Sequence, residues 1–371
     1  MSTIRNVPFF DYPRVYTDDR DDLLRIFDEV GQRGAFIMQK DLSEFESNLA
    51  DYTGADHAVG VANATDGLEL SWMALKLRAG DEVIVCSHTM LATASAVVTA
   101  GGTPVPVELG PDNLIDPAAV EAAINPRTVG IMPTQLNGRT CDMDAIMAIA
   151  DKNKLFVVED AAQALGSRFR GRHAGTFGDA AAFSFFPAKV LGGLGDGGGV
   201  VTNRADLHDV IYQLHDHGRD MEGEIRSWGR NSRLDNLQAA FLNFRLQTYD
   251  QVIARRRAVA AMYQEQLGDL PELALPPAPD SDPDHFDVYQ NYEMQADRRD
   301  DLHDHLRLHG IGTLVQWGGK GVHQWERLGF TTHLPKVERF FERCIMLPMN
   351  TFVSDDDVSY VCETVRGFYR S

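Results

Sequence analysis

The segment FSFFPAKVLGGLGDGGG, Phe183 to Gly199, sets Lys189 after an apolar, aromatic run and before six glycines in eight residues, with no acidic neighbour until Asp196. A lysine beside an element buried on both faces keeps its ammonium in water, loses its proton or is covalently consumed. Apolar surroundings lower a lysine pKa, and the free amine so prepared condenses with aldehydes. A second candidate is Asp160, which ends the apolar run of FVVEDAAQALGS. A carboxylate there is costly unless a cation or hydrogen-bond donors face it. The third is GVANATDGLEL, which passes from a strand-like run through Asn63, Ala64, Thr65 and Asp66 into a helical pattern. Such a helix start points free N–H groups at whatever lies above it, a seat for phosphate. Ordinary caps at Asn63, Thr65 or Asp160 explain the same residues without chemistry.

The elements that must position these residues alternate along the chain. Apolar runs at 57–63, 81–87, 103–109, 129–134 and 155–160 are separated by helical patterns. This βαβ rhythm predicts an α/β fold over roughly residues 50–245, a mostly parallel sheet sandwiched by helices. Ligands in such folds sit beyond the carboxyl ends of the strands. Gly193, Gly195 and Gly198 formally match G-x-G-x-x-G, but a strand-like GGVVTN follows instead of a helix, and no acidic residue ends a second strand at the right distance. The dinucleotide reading therefore fails, and the glycines read as room for a flat ligand and as turns beside Lys189. Residues 235–267 read as one long helical pattern. The proline and aspartate cluster after it marks a domain edge, and from Val288 a strand (288–296), a helix and a second strand (IGTLVQWGG) point to a smaller α+β domain. The expected division is a large domain at 1–250, with the N-terminal arm, and a small one at 251–371.

Composition bounds the partners. With 35 Lys plus Arg against 54 Asp plus Glu in 371 residues, the formal net charge of -19 argues against nucleic acid or an anionic membrane as the main partner. Cys86, Cys141, Cys344 and Cys362 lie far apart and read as reduced thiols, with neither a zinc site nor a disulfide framework. HDHGRD (215–220) has metal-like spacing but reads as a loop, and no metal is assigned. The N-terminus lacks the pattern of a signal peptide and no apolar run reaches about 18 residues, so a cytoplasmic protein is expected.

Lys189, Asp160 and a helix start together are what pyridoxal phosphate requires: an amine for its aldehyde, an anion to keep its ring nitrogen protonated, and a phosphate seat. The segments VANATDGLEL, VGIMPTQLNGRTCDMDAI, VVEDAAQALGSRFRGRHAGTFGDAAAFSFFPAKVLGGLGDGGGVVTN, HGRD and NSRLDNLQAA resemble the DegT/DnrJ/EryC1/StrS sugar aminotransferases of the aspartate aminotransferase fold, fold type I. The resemblance covers nearly the whole chain. It implies that Lys189 forms the Schiff base with the cofactor, that Asp160 pairs with the pyridine nitrogen, and that Gln163 lies near the ring oxygen. It also implies that Ala64, Thr65 and Ser184 hold the phosphate, and that Asn231 reaches it from the partner subunit of a homodimer with shared sites. Two segments depart from the family pattern. Met90 stands where relatives carry an aromatic residue on the cofactor ring, a place a thioether can fill. VQWGGKGVHQ replaces the usual His-Tyr-Pro segment, offering Trp317, Lys320 and His323. A core tryptophan, a surface lysine and a satisfied loop histidine are the plain readings of those three. Arg219, Arg230 and Lys320 are the charges that could recruit an anionic substrate.

The implied reaction is ping-pong transamination from L-glutamate or glutamine to a keto sugar, most readily a nucleotide-linked keto-deoxysugar. The alternatives are a cyclitol ketone acceptor, the sugar dehydration of relatives whose lysine is replaced by histidine, and a non-catalytic sensor that binds the cofactor.

Overall fold

The computed structural model describes residues 5–370. Seven strands form the central sheet: β1 (His57–Val61), β2 (Glu82–Cys86), β3 (Thr103–Val107), β4 (Thr128–Met132), β5 (Phe156–Asp160), β6 (Ala180–Ser184) and β7 (Gly198–Thr202). Their order is β1-β7-β6-β5-β4-β2-β3, and every pair is parallel except those made by β7 with β1 and β6. This is the α/β sandwich expected from the uniformly apolar runs, and β1 to β5 each end within two residues of the five runs' limits. The pleat explains the composition. In β2, Val83 and Val85 point into one apolar layer with Leu68, Trp72 and Val97, while Ile84 and Cys86 point into the opposite layer with Met143 and Ile146.

Helices α1 (Arg20–Arg33), α2 (Lys40–Thr53), α3 (Ala64–Ala74), α4 (Leu91–Thr99), α5 (Pro117–Ala123) and α6 (Met143–Asn153) precede or separate the strands, and α7 (Ala205–His215) follows the last of them. The pattern read as one long helix is two, α8 (Asn236–Leu246) and α9 (Tyr249–Leu267). Neither proline nor glycine marks the break at Gln247 and Thr248. Tertiary packing makes it: α8 lies on α2, whereas α9 lies on the last helix, α12 (Asp355–Arg370).

Beyond α9, Leu273–Ala274 (β8), Tyr292–Ala296 (β9) and Cys344–Leu347 (β10) form an antiparallel sheet with α10 (Arg299–Leu308) and α12 around Tyr263, Leu302, Tyr292 and Val361. Val7 of the N-terminal arm joins this cluster and bridges to Ile311. The helix α11 (Pro335–Arg343) instead turns Val337, Phe340 and Phe341 into the layer beneath β2 and β4. IGTLVQWGG is not a strand. Ile311 and Leu314 make single bridges, and the chain then turns through Trp317, Gly318 and Gly319, all left-handed, at φ 48°, 68° and 74°. Three such residues in succession cannot continue a pleat. The four cysteines are buried and free. No helix among the described residues is long and apolar enough to cross a membrane.

Candidate active site

A cavity of about 690 Å³ opens at the carboxyl ends of the parallel strands and is closed on its other side by the C-terminal elements and Phe9 and Phe10 of the N-terminal arm. Ala64, Thr65, Met90, Asp160, Gln163, Ser184, Lys189 and Trp317 all line it. Arg219, Arg230, Asn231, Lys320 and His323 do not.

Asp160 ends β5 and is buried. Its Oδ2 accepts a 2.6 Å hydrogen bond from Oγ1 of Thr93 on α4, and its Oδ1 accepts from the Ala162 amide at 3.2 Å, a local turn and not a helix cap. Thr93 is held in place by Thr89 (2.6 Å), which also meets Thr134 (2.8 Å). Burial pushes the Asp160 carboxyl upward, while Thr93, the Ala162 amide and the charge of Lys189 pull it back. Hydrogen bonds to a charged group stabilise it by about 1.5–3 kcal/mol each, against several kcal/mol for its desolvation. The carboxylate is thus prepared for a cation, and it makes no salt bridge among the described residues.

Lys189 is half-buried in the loop between β6 and β7. Burial lowers its ammonium to about 8, and only the charge of Asp160 opposes that shift. The glycines beside it sit where the chain packs tightly. None of Gly192, Gly193, Gly195, Gly197, Gly198 or Gly199 is left-handed; they permit close approach. A Cβ on Gly192 would stand 2.5 Å from the Pro187 carbonyl oxygen, and one on Gly198 would stand 2.5 Å from the Asn63 carbonyl carbon and 2.7 Å from the Ala64 nitrogen. Gly198 therefore lets β7 seat directly against the start of α3.

At that start Asn63 is the cap, its Oδ1 accepting from the Asp66 amide at 2.9 Å, and the first intrahelical bond runs from the Gly67 amide to the Asn63 carbonyl. The Ala64 and Thr65 amides precede that bond, so they remain available to an anion at the helix's positive end. Ser184 ends β6 on the same side. Gln163 accepts from the Asn137 amide at 2.8 Å, and Asn137, left-handed at φ 56°, gathers Asn291 and Gln316 side chains on its Oδ1 at 2.8 Å each. Met90 is exposed at the start of α4, and Trp317 lies against His88 and Phe341.

The remaining candidates lie elsewhere. His323 is buried between Ser87 (2.7 Å) and Glu338 (3.1 Å), Lys320 stands over the Trp325 ring, Arg219 pairs with Asp216, and Arg230 pairs with Glu69. Asn231 is exposed and bridges to Asp216, and the residue preceding α8 is Asp235, so Asn231 does not cap that helix. Ser232 ties this loop to α3 through a 2.7 Å bond to Asp66. Thr93, Asn137, Arg256, Gln290 and Ser232 were not singled out from the sequence.

The model of the DegT/DnrJ/EryC1/StrS aminotransferase family matches residues 17–366. A dTDP-3-amino-3,4,6-trideoxy-alpha-D-glucose transaminase from Streptomyces venezuelae is 40% identical over 366 residues, which are 97% of this chain and 95% of that protein. Among solved structures, S. venezuelae DesV in complex with a ketimine intermediate superposes with a TM-score of 0.94 at 38% identity, covering 99% of each chain. The Bacillus subtilis NtdA structure with bound cofactor PMP superposes at 0.92, with 28% identity, covering all of this chain and 86% of that one.

Proposed function

This chain belongs to the DegT/DnrJ/EryC1/StrS aminotransferase family, and from that premise we propose that it carries an amino group from L-glutamate or glutamine to a nucleotide-linked keto sugar with pyridoxal phosphate as cofactor. One observation carries the reading: the Lys189 amine and the buried Asp160 carboxylate, neither in a salt bridge among the described residues, line one cavity beside the open amides of α3.

The residues fit the cofactor. The Ala64 and Thr65 amides, with Ser184, would hold its phosphate, at a helix start that β7 approaches closely because residue 198 is glycine. Asp160 would hold its ring nitrogen in the protonated form, with Gln163 at the ring edge and Met90 against the face. When bound, the cofactor supplies the electron sink that makes a donor α-proton acidic and lets nitrogen change carbon. The protein does the rest. Lys189, with its ammonium lowered to about 8, has enough free amine near neutrality to bond the cofactor and, once released, to move a proton at Nζ from the donor α-carbon and return it at the acceptor carbon. Asp160 keeps its charge through both halves, held by Thr93. The order we propose is ping-pong, the donor's keto acid leaving the cavity before the acceptor enters it.

A homodimer completes the proposal. Met221, Ile225 and Trp228 are exposed on the loop before Asn231, Trp228 at 96%, and exposed apolar side chains grouped this way mark a contact surface. In a two-fold dimer Asn231 of the partner subunit would reach the phosphate.

The test loads the enzyme with pyridoxal phosphate, treats it with L-glutamate until the visible absorption band is lost, and adds nucleotide-linked keto sugars and cyclitol ketones in turn. Return of the band with a nucleotide-linked ketone supports the reading. Return only with a cyclitol ketone moves the acceptor class, and no response to any amino donor makes the protein a binder instead of an enzyme.

A further inference from the structure

Gln290, more than a hundred residues beyond the lysine, holds the backbone on both sides of it. Its Nε2 donates to the Ala188 carbonyl at 2.9 Å, and its Oε1 accepts from the Val190 amide at 2.9 Å. One side-chain amide thus replaces the ladder bonds that an irregular loop lacks, and it does so at the two peptides that fix the direction of the Lys189 side chain.

Gln290 is itself aimed by an unusual arrangement. The preceding residue, Tyr289, is left-handed at φ 51°, a conformation disfavoured for a bulky side chain that persists only where the surroundings impose it. Arg256 of α9 imposes it: Nη1 donates to the Tyr289 and Gln290 carbonyls, both at 3.0 Å. This guanidinium is buried with no carboxylate partner among the described residues, and burial lowers it to about 10. The Tyr289 hydroxyl fixes the far end, donating to the Pro277 carbonyl at 2.8 Å. Gly138 admits the segment, since a Cβ there would lie 2.8 Å from the Tyr289 and Gln290 nitrogens. A strained turn, a buried cation on its carbonyls and a two-handed amide all converge on the lysine loop.

Resting on Lys189 as the reacting amine, we propose that Gln290, braced by Arg256, is the positioning residue that holds the Lys189 amine in line for proton transfer. It touches no reacting atom. Its loss leaves donor binding intact and slows the step the lysine performs. Because Gln290 precedes β9, the lysine loop is also tied to the C-terminal sheet.

The experiment uses Gln290→Leu and Gln290→Glu holoenzymes mixed with L-glutamate, following single-turnover loss of the visible band. Gln290→Leu is expected to half-saturate at the wild-type donor concentration and to react about 10- to 100-fold more slowly, the scale of a small misplacement of a catalytic group. Hydrogen exchange at the Val190 amide should quicken in this variant while β6 and β7 exchange as before. An ionised Gln290→Glu accepts from Val190 but cannot donate to Ala188; protonated, it does both, so its rate relative to wild type should recover as pH falls. A wild-type rate in Gln290→Leu despite faster Val190 exchange would overturn the proposal, as would a loss expressed in donor affinity or cofactor retention, or a flat pH ratio in Gln290→Glu. If Gln290→Leu does not fold, the Gln290→Glu ratio decides alone. A wild-type enzyme inert to amino donors overturns the proposed function instead.

Discussion

Thr93 donates to the Asp160 carboxylate at 2.6 Å, the shorter of the two hydrogen bonds that this buried anion receives. Burial raises the Asp160 carboxyl and Thr93 opposes that rise, so the threonine decides how far into the acid range the anion survives. Thr93→Val keeps the shape and removes the donor. The carboxyl should then rise further, and the acidic limb of the donor half-reaction should move to higher pH. A charged hydrogen bond of about 1.5–3 kcal/mol corresponds to a shift of about 1–2 pH units, and so to a tenfold or greater loss relative to wild type well down the acidic limb. A pH–rate profile that superposes on wild type would show that Asp160 draws its charge from elsewhere.

Asp160→Asn goes further, removing the charge but keeping the outline. If Asp160 pairs with the ring nitrogen of bound pyridoxal phosphate as proposed, that nitrogen would lose its proton in the variant, and turnover should fall about 100-fold or more, as when one preorganised electrostatic partner is deleted. Cofactor binding, measured by its absorption at equilibrium, should weaken less than turnover. Near-normal turnover would remove Asp160 from the mechanism.

These two residues show what the sequence could and could not say. Asp160, Lys189 and the Asn63 start of α3 were legible because each lies within a few residues of a strand end, where local pattern alone fixes the place. Gln290, Asn137 and Arg256 were not, because each acts on backbone or amide groups far away in the chain, and a polar residue bonded to a distant peptide carries no local signature. The same reason hid the break at Gln247: helix propensity continued through it, and only the divergent packing of α8 and α9 shows why it is there. The turn at Trp317 had its glycines in plain view, yet apolar alternation before them read as a strand.

The lowered Lys189 ammonium gives a direct pH test on cofactor-free enzyme. Modification by an amine-reactive reagent, read by peptide mass, should be half-maximal near pH 8, whereas a surface lysine follows its ordinary value near 10.5. The stability consequence has the sign of a depressed base. Between about 8 and 10.5 the unfolded chain holds a proton that the folded chain has released, so the cofactor-free protein should gain stability as pH rises through that window. Below it both states are protonated and the cost of the buried charge is present in full. Lys189→Ala should remove this pH-dependent component of the melting curve and abolish turnover, with cofactor still bound noncovalently. Borohydride labelling at another lysine would reject the assignment.

The last prediction concerns a site built from two chains. Asn231 is exposed, lies outside the cavity of its own chain, and does not cap α8, so neither a local binding role nor a helix cap accounts for it. The loop that carries it is pinned to α3 by Ser232 on Asp66 and Arg230 on Glu69, which leaves Asn231 and Trp228 turned outward. Two-fold symmetry makes any donation across such a face reciprocal. Lys189→Ala and Asn231→Asp, each expected to be inactive as a homodimer, are therefore mixed under conditions that exchange subunits. In a mixed dimer one site carries both defects and the other carries neither. With random exchange half the dimers are mixed, and each has one intact site, so activity should recover toward about one quarter of wild type by this symmetry. Exchange is verified independently by mass difference. Confirmed exchange without recovery would place both residues in one chain's site, and the dimer would then have no part in completing it.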